Sequence, residues 1–239
     1  GQMQARQVTR FHQIILSSEP VSSASADEIA YAWLAHLQAL SLSELPLPGN
    51  ARQWLNRVAL AAKLDLAQPQ AFDQADPWPD VNVLVLSLID ENSLISHLKK
   101  CKKREDLPSL PWQTLMQQTL SWPQQHALEH FLPTSVLVPS GNARPLEYLP
   151  DGQVILAVKM QEMYGSNTQI LIGNNALPVT LSLLSPAGRP LQKTNDLGAF
   201  WQGSYQEIKK EMKGRYPKHY WPDEPALAEP TTRTKKHMT

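Results

Sequence analysis

Ser135-Val-Leu-Val138, Pro145-Leu-Glu-Tyr-Leu149, Val154-Ile-Leu-Ala-Val158, Val179-Thr-Leu-Ser-Leu183 and residues 189–194 are the stretches that decide the fold. Each is short and rich in β-branched or large apolar residues. Each is bounded by turn chemistry: Pro139-Ser-Gly-Asn142, Pro150-Asp-Gly152 and Ser185-Pro-Ala-Gly188. Proline pre-sets the backbone for the second position of type I and II turns, and glycine accepts the left-handed conformation that follows, so these runs read as strands. Val179 to Leu183 alternates in polarity, as a half-buried strand does. Residues 159–164 are predicted to make one or two helical turns, stopped by Gly165.

The order strand, strand, strand, short helix, strand, strand is that of an oligonucleotide-binding barrel. Residues 133–196 are therefore expected to form a small five-stranded mixed or antiparallel β domain with an OB-like strand order. On the N-terminal side the texture is helical, and residues 21–132 are expected to form a helical region. Ser25-Ala-Asp-Glu28 is a capping box, in which serine accepts from the third helical N–H and glutamate reaches back. Ile29, Trp33, Leu37 and Leu40 follow at helical spacing, giving a helix over 26–41. A second helix starts after Asn50, and a third helical stretch runs roughly over 81–100 with Asp80 as its N-cap, although its Val-rich first half equally suits a strand by propensity alone. Two shorter helices are expected over 111–120 and 122–131. Beyond the β domain, residues 197–239 are expected to be helical to Lys213, closed by Gly214 as a left-handed cap, and then to extend as a Pro-rich basic and aromatic tail. The fold class is thus α+β.

Residues 6–16 read as one strand running into a loop. A strand needs neighbours to satisfy its backbone, and none is evident nearby. Residues 1–20 are accordingly expected to be the last strand of an accessory sheet that begins upstream, and the opening Gly1-Gln2-Met3 fits a piece of a longer protein.

With 239 residues the chain suits one large domain or two small ones. Its 22 basic and 22 acidic residues cancel, so steering toward a polyanion must come from a local patch. One cysteine, Cys101, excludes an intrachain disulfide and suits a reducing, cytoplasmic setting. No apolar run approaches the ~18 residues of a membrane span, and no basic-then-apolar leader is present. Twenty prolines against ten glycines imply short elements separated by rigid turns.

Three strings carry candidate chemistry. His126-Ala-Leu-Glu129-His130 places two histidines one helical turn apart with a glutamate between, the inverted zinc-protease pattern. It lacks an evident third ligand, and both histidines also suit the exposed side of a short helix. Lys99-Lys100-Cys101-Lys102-Lys103-Arg104 is the densest basic run, suited to phosphates or, more plainly, to a solvated helix end. Cys101 within it reads as a surface thiol. Lys209, Lys210, Lys213, Arg215, Lys218, His219 and Tyr220 mix cations with aromatics at a helix exit, the composition used against single-stranded nucleic acid. There the cations would take phosphates and Tyr220 a base. Alternatively Tyr216, Trp221 and the prolines dock the tail and leave the lysines as its rim. No GxxxxGK[ST] loop, GxGxxG turn, GxSxG elbow or paired-cysteine spacing occurs, so no nucleotide hydrolysis is expected from these residues alone.

Trp122-Pro-Gln-Gln, Pro133-Thr134, Val138-Pro-Ser-Gly141, Leu156-Ala-Val-Lys-Met-Gln-Glu-Met-Tyr-Gly165, Leu183-Leu-Ser-Pro-Ala-Gly-Arg-Pro-Leu-Gln192, Asp196-Leu197 with Phe200-Trp201, and Lys213-Gly-Arg-Tyr-Pro-Lys-His-Tyr-Trp-Pro222 together resemble the C-terminal region of the HrpB-type ATP-dependent RNA helicases of the DExH-box class. Arg52-Gln-Trp-Leu-Asn-Arg57 and Trp78-Pro-Asp80 fit more loosely. The resemblance implies motor domains upstream that bind ATP and Mg2+, no cofactor in this chain, and RNA and the motor as partners. No catalytic residue is carried over. A stand-alone zinc peptidase using His126, Glu129 and His130, or a purely structural protein-interaction module, are the alternatives. Whether the chain is itself an enzyme stays open.

Overall fold

The computed structural model describes residues 6–20, 24–67, 76–90 and 94–234. The chain divides into two units, residues 1–58 with 77–122 and residues 59–76 with 123–239.

The first unit opens with a hairpin, β1 (Arg6–Phe11) paired antiparallel with β2 (Ile14–Pro20), with Phe11 opposite Ile14. The single strand expected over 6–16 is therefore two. The reversal falls at His12, which takes a positive φ of 54°. Neither His12 nor Gln13 is a usual hairpin-turn residue, so the turn was hidden inside an apolar run.

Helix α1 (Ala26–Gln38) starts at the expected capping box. Ser25 Oγ accepts from the Glu28 N–H at 3.2 Å, and the Glu28 carboxylate accepts from the Ser25 N–H at 2.8 Å. Trp33, Leu34 and Leu37 face inward, and the Trp33 indole donates to the Cys101 carbonyl at 3.0 Å. Helix α2 (Gly49–Ala67) follows; its residues to Val58 belong to this unit and those from Ala59 to the second. Asp80 caps α3 (Val81–Asp90), accepting from the N–H groups of Asn82 and Val83 at 2.7 and 3.2 Å. The single helix expected over 81–100 is instead α3 and a separate one-turn α4 (Ile95–Leu98). Glu91-Asn-Ser93 lies between them, outside the described residues. A 3-10 turn (Arg104–Ser109) and α5 (Trp112–Gln117) complete the unit, with the buried Trp112 donating to the Leu107 carbonyl at 2.9 Å. Helices α3 and α4 pack on α1, and α5 on α3.

The second unit contains α6 (Trp122–Phe131) from Pro123 onward and a five-stranded mixed sheet. Its strands are β3 (Ser135–Leu137), β4 (Ala143–Tyr148), β5 (Val154–Lys159), β8 (Thr180–Leu184) and β9 (Pro190–Thr194), in that spatial order. All pairings are antiparallel except β5 with β8, which is parallel. The expected succession of strands and short helix holds along the chain. In space the strands follow one another without β3 pairing to β9, so among the described residues the sheet is open.

The parallel step needs a crossover. It is made by a 3-10 turn (Met160–Met163) and a small hairpin, β6 (Leu171–Ile172) with β7 (Leu177–Pro178), which sequence reasoning missed. Gly173, Asn174 and Asn175 turn this hairpin with φ of 61°, 55° and 65°. Gly165 has the positive φ expected of it, 76°, and a Cβ there would meet the Ala228 carbonyl oxygen at 3.0 Å. Glycine is required by both conformation and space.

The C-terminal helix is two helices, α7 (Leu197–Gln202) and α8 (Tyr205–Arg215), separated at Gly203-Ser204. Gly214 does not cap α8, because the helix runs through it to Arg215. The stop belongs to Pro217, which disfavours helical backbone at Tyr216; Tyr216 leaves the helix at φ −127°.

A buried charge locks the crossover to the β3–β4 hairpin. Glu162 is 1% exposed, and its Oε2 accepts from Arg144 Nε at 2.9 Å and Nη2 at 2.6 Å, and from Ser140 Oγ at 3.2 Å. Removing one partner strands a carboxylate out of water. Arg144→Ala should lower unfolding free energy by about 3 kcal/mol in urea titration, and the paired change Arg144→Met with Glu162→Met should cost much less.

Candidate nucleic-acid interface

Helix α8 carries the expected cations on different faces. Lys210, Lys213 and Arg215 are exposed, whereas Lys209 is buried and its ammonium is paired with the Asp223 carboxylate. Past Pro217 the chain folds back along its own helix. Trp221 is buried and its indole donates to the Tyr216 carbonyl at 3.0 Å. The buried Tyr205 hydroxyl donates to the Pro222 carbonyl at 2.8 Å. Burial pushes the Tyr205 phenol up to about 12, and it raises that of Tyr164 further.

Tyr220 is half-buried. Its carbonyl accepts from the Gln161 amide at 3.4 Å and the Tyr164 hydroxyl at 3.3 Å, and its ring meets that of Tyr164 edge-on at 6.2 Å. His219 is half-buried against Tyr216, edge-on at 6.1 Å. Its Nδ1 is buried without a hydrogen-bond partner. Burial lowers its pKa, and the charge of Lys159 adds to the effect. Lys218 is exposed.

The structure thus brings Lys210, Lys213, Arg215 and Lys218 to the surface around a half-buried aromatic group of Tyr216, His219 and Tyr220. Lys209 serves the fold. Lys159, the last residue of β5, reaches the same place, and sequence reasoning missed it because 60 residues separate it from His219. Carboxylates interleave with these cations. Arg215 lies 3.6 Å from Glu211, and Asp223 and Glu224 are exposed alongside.

The basic run of the first unit is differently spent. Lys99 pairs with Asp27 at 2.6 Å at the end of α4, and the Lys102 and Lys103 N–H groups donate to Asp106 at 2.9 and 3.1 Å. Lys100, Lys102, Lys103 and Arg104 are exposed. Cys101 is not the surface thiol expected. It is 3% exposed, and burial pushes its thiol up. The turn after α4, in which the Cys101 N–H donates to the Leu98 carbonyl at 2.9 Å, brings it inward despite its charged neighbours.

His126 and His130 stack with ring centroids 6.3 Å apart and planes 11° from parallel. Among the described residues no group of three His, Cys, Asp or Glu side chains could hold a metal ion. A catalytic zinc needs three protein ligands, so the peptidase reading finds no third one there. Also among the described residues, no helix is long and apolar enough to cross a membrane.

Asp223 reports on the fold of the tail. The hydrogen bond from Lys209, followed by the charges of Lys209 and Lys213, holds its carboxyl below the ordinary value. A depressed folded-state pKa gives stability that is present above the unfolded value and lost as pH falls through the folded one. Asp223→Asn should therefore lower thermal stability at pH 7, and the difference from the parent should shrink to nothing as acid protonates Asp223. A constant difference across that range would disprove the pairing.

Comparison with known proteins gives one family. Residues 93–225 match the ATP-dependent helicase C-terminal family, HrpB_C. The chain is 38% identical over 237 residues to the ATP-dependent RNA helicase HrpB of Escherichia coli K12, covering 99% of this chain and 28% of that protein. The crystal structure of the E. coli DExH-box NTPase HrpB superposes with a TM-score of 0.68 at 35% identity, over 97% of this chain and 30% of that one. A crystal structure of the E. coli DEAH/RHA helicase HrpB gives 0.57 at 35% identity, over 90% and 26%. The chain thus spans a little over a quarter of the relative it matches. It belongs to the ATP-dependent helicase C-terminal family, HrpB_C.

Proposed function

We propose that this chain is the C-terminal accessory region of a cytoplasmic ATP-dependent RNA helicase, that it docks on the motor domains, and that its second unit contacts RNA. ATP and Mg2+ then belong to the motor, since these residues include no phosphate loop. The observation that carries the reading is the solvent-facing set Lys210, Lys213, Arg215 and Lys218 around Tyr216, His219 and Tyr220. Cations at the ends of flexible stems take backbone phosphates, and a partly covered aromatic edge offers a stacking surface to an unpaired base. Lys159 adds a cation from the sheet. Lys209 acts indirectly, by holding Asp223 and so the tail.

The interleaved carboxylates favour a second reading, in which the surface meets a protein and never RNA. Salt dependence separates the two, because each phosphate neutralised on a single strand releases about 0.7 counterion. Fluorescence anisotropy of labelled single-stranded RNA should show binding at low salt that weakens as salt rises. Replacing Lys213, Arg215 and Lys218 together with alanine should reduce the slope of log K against log salt by about 2. An unchanged slope would remove these residues from the RNA surface. Absence of binding at low salt would favour the protein-contact reading.

A further inference from the structure

The first described segment leaves its apolar side chains uncovered. Phe11, Ile14, Ile15 and Leu16 are each more than half exposed, and Val8 is 38% exposed. Every described side chain from Arg6 to Glu19 is exposed, so nothing else among the described residues covers either face. Cross-strand partners share a face, and successive residues alternate between faces. Phe11 and Ile14, which stand opposite each other, therefore occupy one face. Ile15, opposite Arg10, lies on the other face, and so does Val8, two residues from Arg10. The turn end carries exposed apolar side chains on both faces, with Arg10 beside Ile15 and His12 in the turn, whereas Thr9, Ser17, Ser18 and Glu19 make the opposite end polar.

A lone two-stranded hairpin is marginal in water, and its two outer edges present unpaired N–H and C=O groups. Apolar residues on one face would suit packing on a flat surface. Apolar residues on both faces of the same end suit insertion between two layers. Arg6 turns its guanidinium to the hairpin itself, donating to the Ser18 carbonyl at 3.2 Å. Arg10 and His12 are also exposed, but the larger uncovered area is the hydrocarbon of Phe11, Ile14, Ile15 and Leu16, which suits a protein interior better than nucleic acid.

What fills that role follows from chain length and position. The chain spans 28% of the E. coli relative, and the matched family region is described as C-terminal, so in a full-length member most of the polypeptide lies ahead of it. β1 starts at Arg6, so that preceding polypeptide joins the hairpin within a few residues of its polar end. The geometry points to β1 and β2 as the closing strands of a sheet whose other strands, and whose apolar cover over Phe11, Ile14, Ile15 and Leu16, come from the polypeptide preceding Gly1. This rests on the reading of the chain as part of a motor-bearing helicase.

Hydrogen exchange read by mass spectrometry, on the full-length polypeptide and on residues 1–239 alone, tests it without RNA. The amides of residues 6–20 should exchange at least about tenfold more slowly in the full-length protein, because paired and covered backbone groups open less often. Phe11→Ser with Ile15→Ser should restore fast exchange there, and the wild-type comparison stands without that variant. Equal rates in residues 6–20, with slowing confined to other segments, would overturn the hairpin's part while leaving docking in place. Equal rates throughout would overturn both the hairpin assignment and docking. Protection that appears in residues 1–239 alone and grows with concentration would overturn the proposal in favour of a second copy.

Discussion

The carboxylate of Glu162 lies almost wholly out of water, where a buried polar group is costly unless it is hydrogen-bonded, and donors converge on it. Arg144 supplies two hydrogen bonds and Ser140 a third, so the β3–β4 hairpin has one arrangement compatible with a buried charge. The same 3-10 turn secures the tail. Its Gln161 donates through the side chain to the Tyr220 carbonyl and accepts through its own carbonyl from the Thr231 N–H at 2.9 Å. The Gly165 N–H, just beyond, donates to the Pro225 carbonyl at 2.9 Å. Residues 161–165, just after β5, therefore bind both the β3–β4 hairpin and the C-terminal segment at Tyr220, Pro225 and Thr231. The surface proposed to meet RNA depends on this 3-10 turn although all four of its residues are buried.

The sheet was legible because its strands are punctuated by Pro and Gly, whose backbone preferences act locally. The start of α1 was legible for the same reason, since a capping box is complete within four residues. Reversals built from unremarkable residues were not. His12 and Gln13 carry no turn signal, so two strands read as one. Gly203 gave a break that was passed over, while Gly214 suggested one that Pro217 imposes two residues later. Long-range pairing was equally hidden. Nothing near Lys209 separates it from Lys210 until Asp223 returns to it, and Lys159 meets His219 only because the parallel step places the end of β5 beside the tail. Cys101 looked exposed because its sequence neighbours are charged, whereas the turn that follows α4, closed by the Cys101 N–H on the Leu98 carbonyl and by Trp33 on the Cys101 carbonyl, brings it inside. Family membership, in contrast, was legible over residues 122–222, where long and compositionally unusual blocks survive.

Charge is distributed so that neither unit acts as a simple cationic surface. In the first unit, Lys99 is answered by Asp27, and Asp106 gathers the backbone of the basic loop. In the second, Glu211 and Asp223 stand among the cations of α8 and its exit. A formally neutral chain of this kind gains little from diffusional steering. Contacts made by either surface would instead be decided at close range, by which cations remain unpaired by protein carboxylates.

The two units are interleaved along the chain, and that has a consequence for how the protein is made. The first unit needs residues 77–122 to join residues 1–58, and the second holds residues 59–76 in common with everything from Pro123 onward. During synthesis, domains generally fold as units once they have emerged from the ribosome. Here the C-terminal half of α2 leaves the ribosome long before the sheet that belongs with it exists. It must wait while the first unit closes around it in sequence. A nascent chain halted anywhere between residues 59 and 122 contains neither unit complete, so release of such a product exposes apolar segments of both. A cut after Trp122 would keep the first unit whole but take from the second everything beyond residues 59–76, so no single cut separates the two units with both intact.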